Sequence, residues 1–102
     1  MNKLIVVAFI AIISSVQSHA AELKGGYGAC VTEELFEQLT SAMVSNDENS
    51  IDHLLNNGCI VTKSGIKITV LDNSLLSGVS KVRAYVGNNE VILWTDRENI
   101  LK

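Results

Sequence analysis

Apolar residues follow different rhythms along the chain. They run unbroken from Leu4 to Ile13, recur at helical spacing between Val31 and Leu55, and alternate with polar residues from Ile66 to Val70 and again from Val82 to Val86. A last block, Val91-Ile92-Leu93-Trp94, is apolar throughout. The first rhythm sits between Met1-Asn2-Lys3 and His19-Ala20-Ala21, which is the order of a charged region, an apolar region and a small-residue cleavage site. Ser18 and Ala20 fill the two positions that must be small if the cut falls before Ala21. Residues 1–20 are therefore predicted to be a cleavable signal peptide. The unbroken apolar run is about half of the ~20 residues a spanning helix needs, so no stable membrane insertion is expected after cleavage.

Residues 21–30 contain Gly25, Gly26 and Gly28 without an apolar period, which predicts a flexible lead-in. No strand-turn-helix pattern follows that would make these glycines a phosphate loop. Thr32 can cap a helix whose first turn holds Glu33 and Glu34 at the positive end of the dipole. Val31 and Phe36 are spaced as a hydrophobic staple, and Leu35, Phe36, Leu39 and Met43 form an apolar stripe that reaches about Val44. After the polar turn at residues 45–49, Ser50 is placed to cap a shorter helix carrying Ile51, Leu54 and Leu55, which Asn57-Gly58 ends. Residues 31–58 thus read as a helical hairpin.

From Cys59 onward the period becomes that of strands. Cys59-Ile60-Val61-Thr62, a turn at Lys63-Ser64-Gly65 and the alternation of Ile66, Ile68 and Val70 come first. A loop with Leu75 and Leu76 leads to Val82, Ala84 and Val86, and Gly87-Asn88-Asn89-Glu90 turns the chain into the Val91–Trp94 block. Thr95-Asp96-Arg97-Glu98 has the capping-box pattern of a short helical turn. The expected fold class is α+β: an N-terminal helical hairpin and a small antiparallel β-barrel, together one domain over residues 31–102.

Composition narrows the function classes. The formal charge of -3 falls by one more when Lys3 is removed, and the basic residues are scattered among acids. Nucleic acid and anionic membrane surfaces are poor partners for such a chain. About 80 residues bury a modest core, and small exported domains of this size commonly carry a covalent staple. Cys30 and Cys59 supply an even count, so a structural disulfide is expected, joining the start of the first helix to the first strand. Their wide spacing lacks the Cys-x-x-Cys arrangement of a redox-active pair.

Gly65-Ile66-Lys67-Ile68-Thr69-Val70-Leu71, Lys81-Val82-Arg83 and Trp94 ahead of Ile100-Leu101 are similar to the corresponding features of the bacterial Src-homology-3-like domain family. The resemblance covers residues 59–102. It implies a barrel of short strands with a one-turn helix before the last, and a role in binding cell-wall peptide or proline-containing segments. Arg83, Tyr85 and Trp94 are the residues onto which that role carries.

With Asn88-Asn89 at the centre of a tight turn, Ala84 would face Leu93, Tyr85 would face Ile92 and Arg83 would face Trp94. Val82, Val86, Val91 and Leu93 then form the core side, and Arg83, Tyr85, Ile92 and Trp94 share the outer side as an aromatic patch beneath a cation. Two readings of that patch stay open: a ligand surface, or a face buried under the helical hairpin. A loop longer by one residue would exchange the faces.

Catalytic chemistry finds little support. His53 is the only histidine after residue 20, which leaves zinc poorly provided for, and Asp52 beside it cannot face it on a helix. Glu33, Glu34 and Glu37 read as a solvated helix face. The expectation is a periplasmic or secreted, non-enzymatic binding module without a cofactor, engaging a cell-envelope protein or peptide. The alternative is an inhibitor or immunity protein that blocks a secreted or cell-wall-degrading enzyme.

Overall fold

The computed structural model describes residues 21–73 and 78–102. The expected signal peptide and the Leu75-Leu76 loop segment lie outside the described residues. Seven strands form one antiparallel sheet: β1 (Ala21–Leu23), β2 (Gly28–Cys30), β3 (Cys59–Val61), β4 (Lys67–Asp72), β5 (Val79–Val86), β6 (Asn89–Asp96) and β7 (Ile100–Leu101). Helices α1 (Glu33–Val44) and α2 (Glu48–Leu55) are inserted between β2 and β3, and a 3-10 turn, Arg97–Asn99, precedes β7. The order across the sheet is β3-β2-β6-β5-β4-β1-β7.

This arrangement corrects the expected fold class. The helices do not open the domain, because two strands precede them, and the sheet is open: β3 and β7 are its two edges and do not pair into a barrel. Residues 21–30 are not a loose lead-in either, since they form β1 and β2. Single short strands of three residues leave no periodic trace, and their pairing partners lie far off in sequence: Ala21 opposite Ile68, and Ala29 opposite both Ile60 and Thr95. The glycines between them make the turn, with Gly25 and Gly26 at φ 88° and 84°. At Gly25 a side chain is excluded twice over, because a Cβ would also stand 2.4 Å from the Ser64 backbone nitrogen.

The sheet rolls strongly on itself. β1 and β2 are four places apart, about 19 Å in a flat sheet, yet residues 24–27 join them through a turn. The concave side holds Leu23, Ala29, Ile68, Val82, Ala84 and Leu93 as one cluster, to which no residue of α1 or α2 belongs. The sheet thus covers one face with itself, and the helices cover part of the other. On that second face Cys30, Phe36, Leu39, Ala42, Leu54 and Cys59 are buried together. Gly28 allows the close fit of α1, since a Cβ there would meet Leu39 Cδ2 at 2.6 Å.

Cys30 and Cys59 are disulfide-bonded, directly opposite each other on β2 and β3 with Cα atoms 4.0 Å apart. Flanking pairs carry ladder hydrogen bonds from Val31 N to Gly58 O and from Thr62 N to Tyr27 O. The cysteines therefore occupy the non-hydrogen-bonded site between them, where opposed strands come closest. The bond ties strand to strand at the base of the inserted helices. Closing a loop with a separation of 29 residues stabilises the fold by roughly 3–4 kcal/mol in the chain-entropy description.

Local signals at the helix starts divide. Thr32 caps α1 by accepting from Leu35 N at 3.1 Å. For α2 the cap is Asp47, which accepts from both the backbone N–H and the hydroxyl of Ser50, so Ser50 lies inside the helix it was expected to start. These bonds favour the ionised carboxyl and lower the Asp47 pKa from its ordinary value. The capping box expected at residues 95–98 does not form: Thr95 points into the core, donates to Gly28 O at 2.8 Å and leaves the 3-10 turn without a side-chain cap.

Asn99 organises the end of the roll. It is fully buried, accepts from Gly25 N at 3.0 Å and donates to the hydroxyls of Thr62 and Thr95, each at 3.1 Å. Its backbone carbonyl accepts from Lys24 N. Asn99→Ala should lower stability by about 2–3 kcal/mol, the cost of stranding buried polar partners, as read by urea unfolding. A loss below about 0.5 kcal/mol would show that the roll does not depend on this amide.

Candidate functional site

Among the described residues the helices rest on β2, β3 and β6 and reach the start of β5 at Val79, which leaves the rest of β5, with β4 and β1, without helical cover on the same face. The face is set by parity along each strand, and Arg83 and Tyr85 on β5 and Ile92 and Trp94 on β6 stand on it together. The hairpin register differs from the expected one. Val86 is opposite Asn89, so Gly87-Asn88 form the turn, and Arg83 is opposite Ile92, Tyr85 opposite Glu90 and Lys81 opposite Trp94. A Gly87 φ of 62° suits a tight hairpin turn that starts one residue earlier than expected. Because the pairing slides by two positions in all, no side chain changes face. Val86, expected in the core, is more than half exposed at the hairpin end.

The slide changes the chemistry of the patch. The cation over Trp94 is Lys81, with its ammonium 5.2 Å from the ring centroid, and not Arg83. Arg83 instead lies 3.5 Å from the Glu90 carboxylate. The Tyr85 hydroxyl is 2.8 Å from that of Thr69 on β4, and Lys67 meets Glu22 at 3.1 Å farther along the face. Ile92 is half-buried between these polar pairs. Trp94 is half-buried too, and its ring packs against the helix-covered cluster around the disulfide. Of the two readings held open, cover by the helices describes Trp94, whereas Arg83, Tyr85 and Lys67 lie toward solvent.

Among the described residues, depressions flank the helices on two sides. Between α1 and α2 lies a broad, open one of about 770 Å³ lined by polar side chains, among them Glu34, Glu37, Asp47 and His53. His53 is exposed, and Asn57 Nδ2 lies 3.5 Å from its Nδ1. Among the described residues no group of three or more His, Cys, Asp and Glu side chains is placed to hold a metal ion. The second depression, of about 380 Å³, runs between α1 and the row formed by Gly28 and Asp96, with Tyr27, Phe36, Leu39, Met43 and Val44 on its walls. Met43, expected in the core stripe, is 54% exposed at the rim, and Ala42 takes the buried position.

Asp96 stands at the edge of this groove with no hydrogen bond from the turn it precedes. Although the residue is open to solvent on one side, loss of water around the carboxyl, helped by the negative charge of Glu98, raises its pKa from the ordinary value. The groove was not among the sequence-predicted sites. Its one trace in the sequence is the apolar pair Met43-Val44 at the end of a helix whose stripe Ala42 already completes.

No family model matches this chain, and neither a curated protein nor a solved structure is similar to it.

The sheet patch separates into structural and surface residues by stability. Trp94→Ala should cost about 2–3 kcal/mol, less than a fully buried tryptophan, and Tyr85→Ala under about 1 kcal/mol, both from chemical denaturation. Equal losses would mean that both are core or that neither is. For Asp96 the folded-state pKa is raised, so the ionised form is penalised on folding. That penalty is absent below the unfolded-state pKa and grows as the pH rises through the folded one. Asp96→Asn should therefore remove this falling contribution, so that stability at neutral pH gains relative to that at acid pH when compared with wild type, as measured by thermal melts from pH 3 to 7.

Proposed function

We propose that this chain is an exported, non-enzymatic binding module that engages a cell-envelope protein or peptide through the open part of its sheet. The observation that carries the reading is the half-covered face: among the described residues the helices end over Trp94, and beyond it Tyr85, Ile92 and Arg83 continue the same face without helical cover. Tyr85 is 37% exposed and the Arg83 side chain 39%. An aromatic, an aliphatic and an arginine side by side on rigid strands is the composition enriched where partners bind. The Arg83–Glu90 and Lys67–Glu22 pairs are solvent-facing, and exchanging such pairs for a partner's charges costs little.

Export agrees with the buried Cys30–Cys59 disulfide, which is characteristic of oxidising compartments. Among the described residues no helix is long and apolar enough to cross a membrane. These two features are compatible with a periplasmic or extracellular location, and the N-terminal residues supply the reason for preferring it.

Immobilised wild-type protein should retain a defined polypeptide from periplasmic or envelope extract. A protein carrying Arg83→Glu and Tyr85→Ala should retain at least about tenfold less of it while melting as wild type does. Undiminished retention by the folded variant would sink the assignment to this face.

A further inference from the structure

We propose that the groove beside α1 is a separate binding site, built for a polypeptide segment that places an apolar side chain next to a lysine or arginine. This site lies apart from the sheet patch and does not rest on the reading given for it. The apolar half of the argument is the lining. Phe36 and Leu39 close the inner wall, while Tyr27, Met43 and Val44 form the rim, and the last two are 54% and 80% exposed. At Gly26 nothing lies within 4 Å of where a side chain would start, which leaves that end of the groove open to a peptide, whereas Gly28 is covered by Leu39. At about 380 Å³ the groove is near the lower end of ligand-sized pockets, with room for the side chains of a peptide and not for a folded surface.

The charged half is the Asp96 carboxylate, which no described lining residue balances. No lysine, arginine or histidine is among the lining residues. The Asp96 carboxylate has no ion-pair or hydrogen-bond partner among the described residues, and Arg97 beside it turns away to donate to Asn73 Oδ1 at 3.2 Å. The last turn of α1, which contributes Met43 and Val44, adds no basic residue to the groove; its carbonyls accept from Ser45, Asn46 and Asp47. A cation brought in beside an apolar side chain would meet Asp96, while its apolar neighbour would cover Met43 and Val44. The raised pKa of Asp96 fits a carboxyl that has lost water without gaining a partner.

The test uses the disulfide-bonded protein and a short fluorescein-labelled peptide, Gly-Ser-Lys-Leu-Phe-Lys-Ser-Gly. Two counterparts are compared with it, one with glutamate for both lysines and one with serine for leucine and phenylalanine. The basic apolar peptide should bind in fluorescence anisotropy and shift the amide resonances of Tyr27, Thr40, Val44 and Asp96, and neither counterpart should. Asp96→Asn should weaken binding about threefold to fivefold, the scale of one exposed ion pair, and Met43→Glu at least about tenfold. Thr40→Lys, which sets a resident cation into the groove from an exposed position, should also weaken it and serves if Met43→Glu fails to fold. The variant with Arg83→Glu and Tyr85→Ala should bind as wild type does, so failure here and failure of the sheet patch are distinguishable. Equal affinity for the glutamate peptide, resonance shifts confined to β4 and β5, or no binding at millimolar peptide would each overturn the proposal. So would a concentration-dependent dimer that Met43→Glu dissolves, which would make the groove a contact between copies of this chain.

Discussion

The side-chain amide of Asn99 is the buried point at which the β1–β2 connection, the end of β3 and β6 meet. β1 and β2 are neighbours in sequence and strangers in the sheet, and residues 24–27 must cross between them. The crossing leaves backbone groups that no strand ladder can satisfy. Asn99 takes up two of them, at Lys24 and Gly25, and its amide nitrogen reaches Thr62 after β3 and Thr95 on β6. Each of those hydroxyls in turn donates to a carbonyl of the β1–β2 connection or of β2, at Tyr27 and Gly28. A buried network is stabilising only when each member is satisfied, and among the described residues no buried side-chain nitrogen or oxygen lacks a partner.

With the roll held at that end, the rest of the architecture follows from which surface still needs cover. The concave face is filled by side chains of the sheet itself, small where strands crowd, as at Ala29 and Ala84, and larger at Leu23, Val82 and Leu93. The convex face needs a second layer, and the insertion between β2 and β3 provides one. The disulfide joins those two strands beneath the inserted helices, in one row with Trp94 and Lys81 across β3, β2, β6 and β5. Two helices of 12 and 8 residues are too short to roof seven strands. They end near Trp94, and the surface changes there from packed apolar to paired polar.

Both candidate sites are borders of that incomplete cover. One lies beyond Trp94, where the sheet emerges with Tyr85, Ile92 and Arg83. The other lies along the opposite flank of α1, where the helix meets a strand row made low by Gly28 and leaves Met43 and Val44 over Asp96. Their electrostatics differ in kind. On the sheet, cations and carboxylates are matched, so affinity there would come from shape and aromatic area. In the groove the Asp96 carboxylate has no counter-ion among the described residues, so charge would select the partner.

Sequence and tertiary structure decided different things about this protein. What neighbouring residues impose on one another was legible: the cap at Thr32, the stripe of Phe36 and Leu39, and the alternation through Ile68 and through Val82 and Ala84; the even cysteine count of a short chain likewise pointed to the Cys30–Cys59 disulfide. Helix caps and side-chain period depend on residues at most four positions apart. Parity along each strand was legible for the same reason, and Arg83, Tyr85, Ile92 and Trp94 share a face in both the expected and the observed register because the two differ by an even number of positions. What pairs with what was not legible. The three-residue strands β1 and β2 have no period to display, the two-position slide put Lys81 instead of Arg83 over Trp94, and Thr95 gave its hydroxyl to Gly28 instead of to a cap. Whether the sheet would close, and where the helices would stop, depended on contacts between residues such as Gly25 and Asn99, 74 positions apart. Such contacts are made only when the whole chain has found the arrangement in which its buried polar groups are all satisfied.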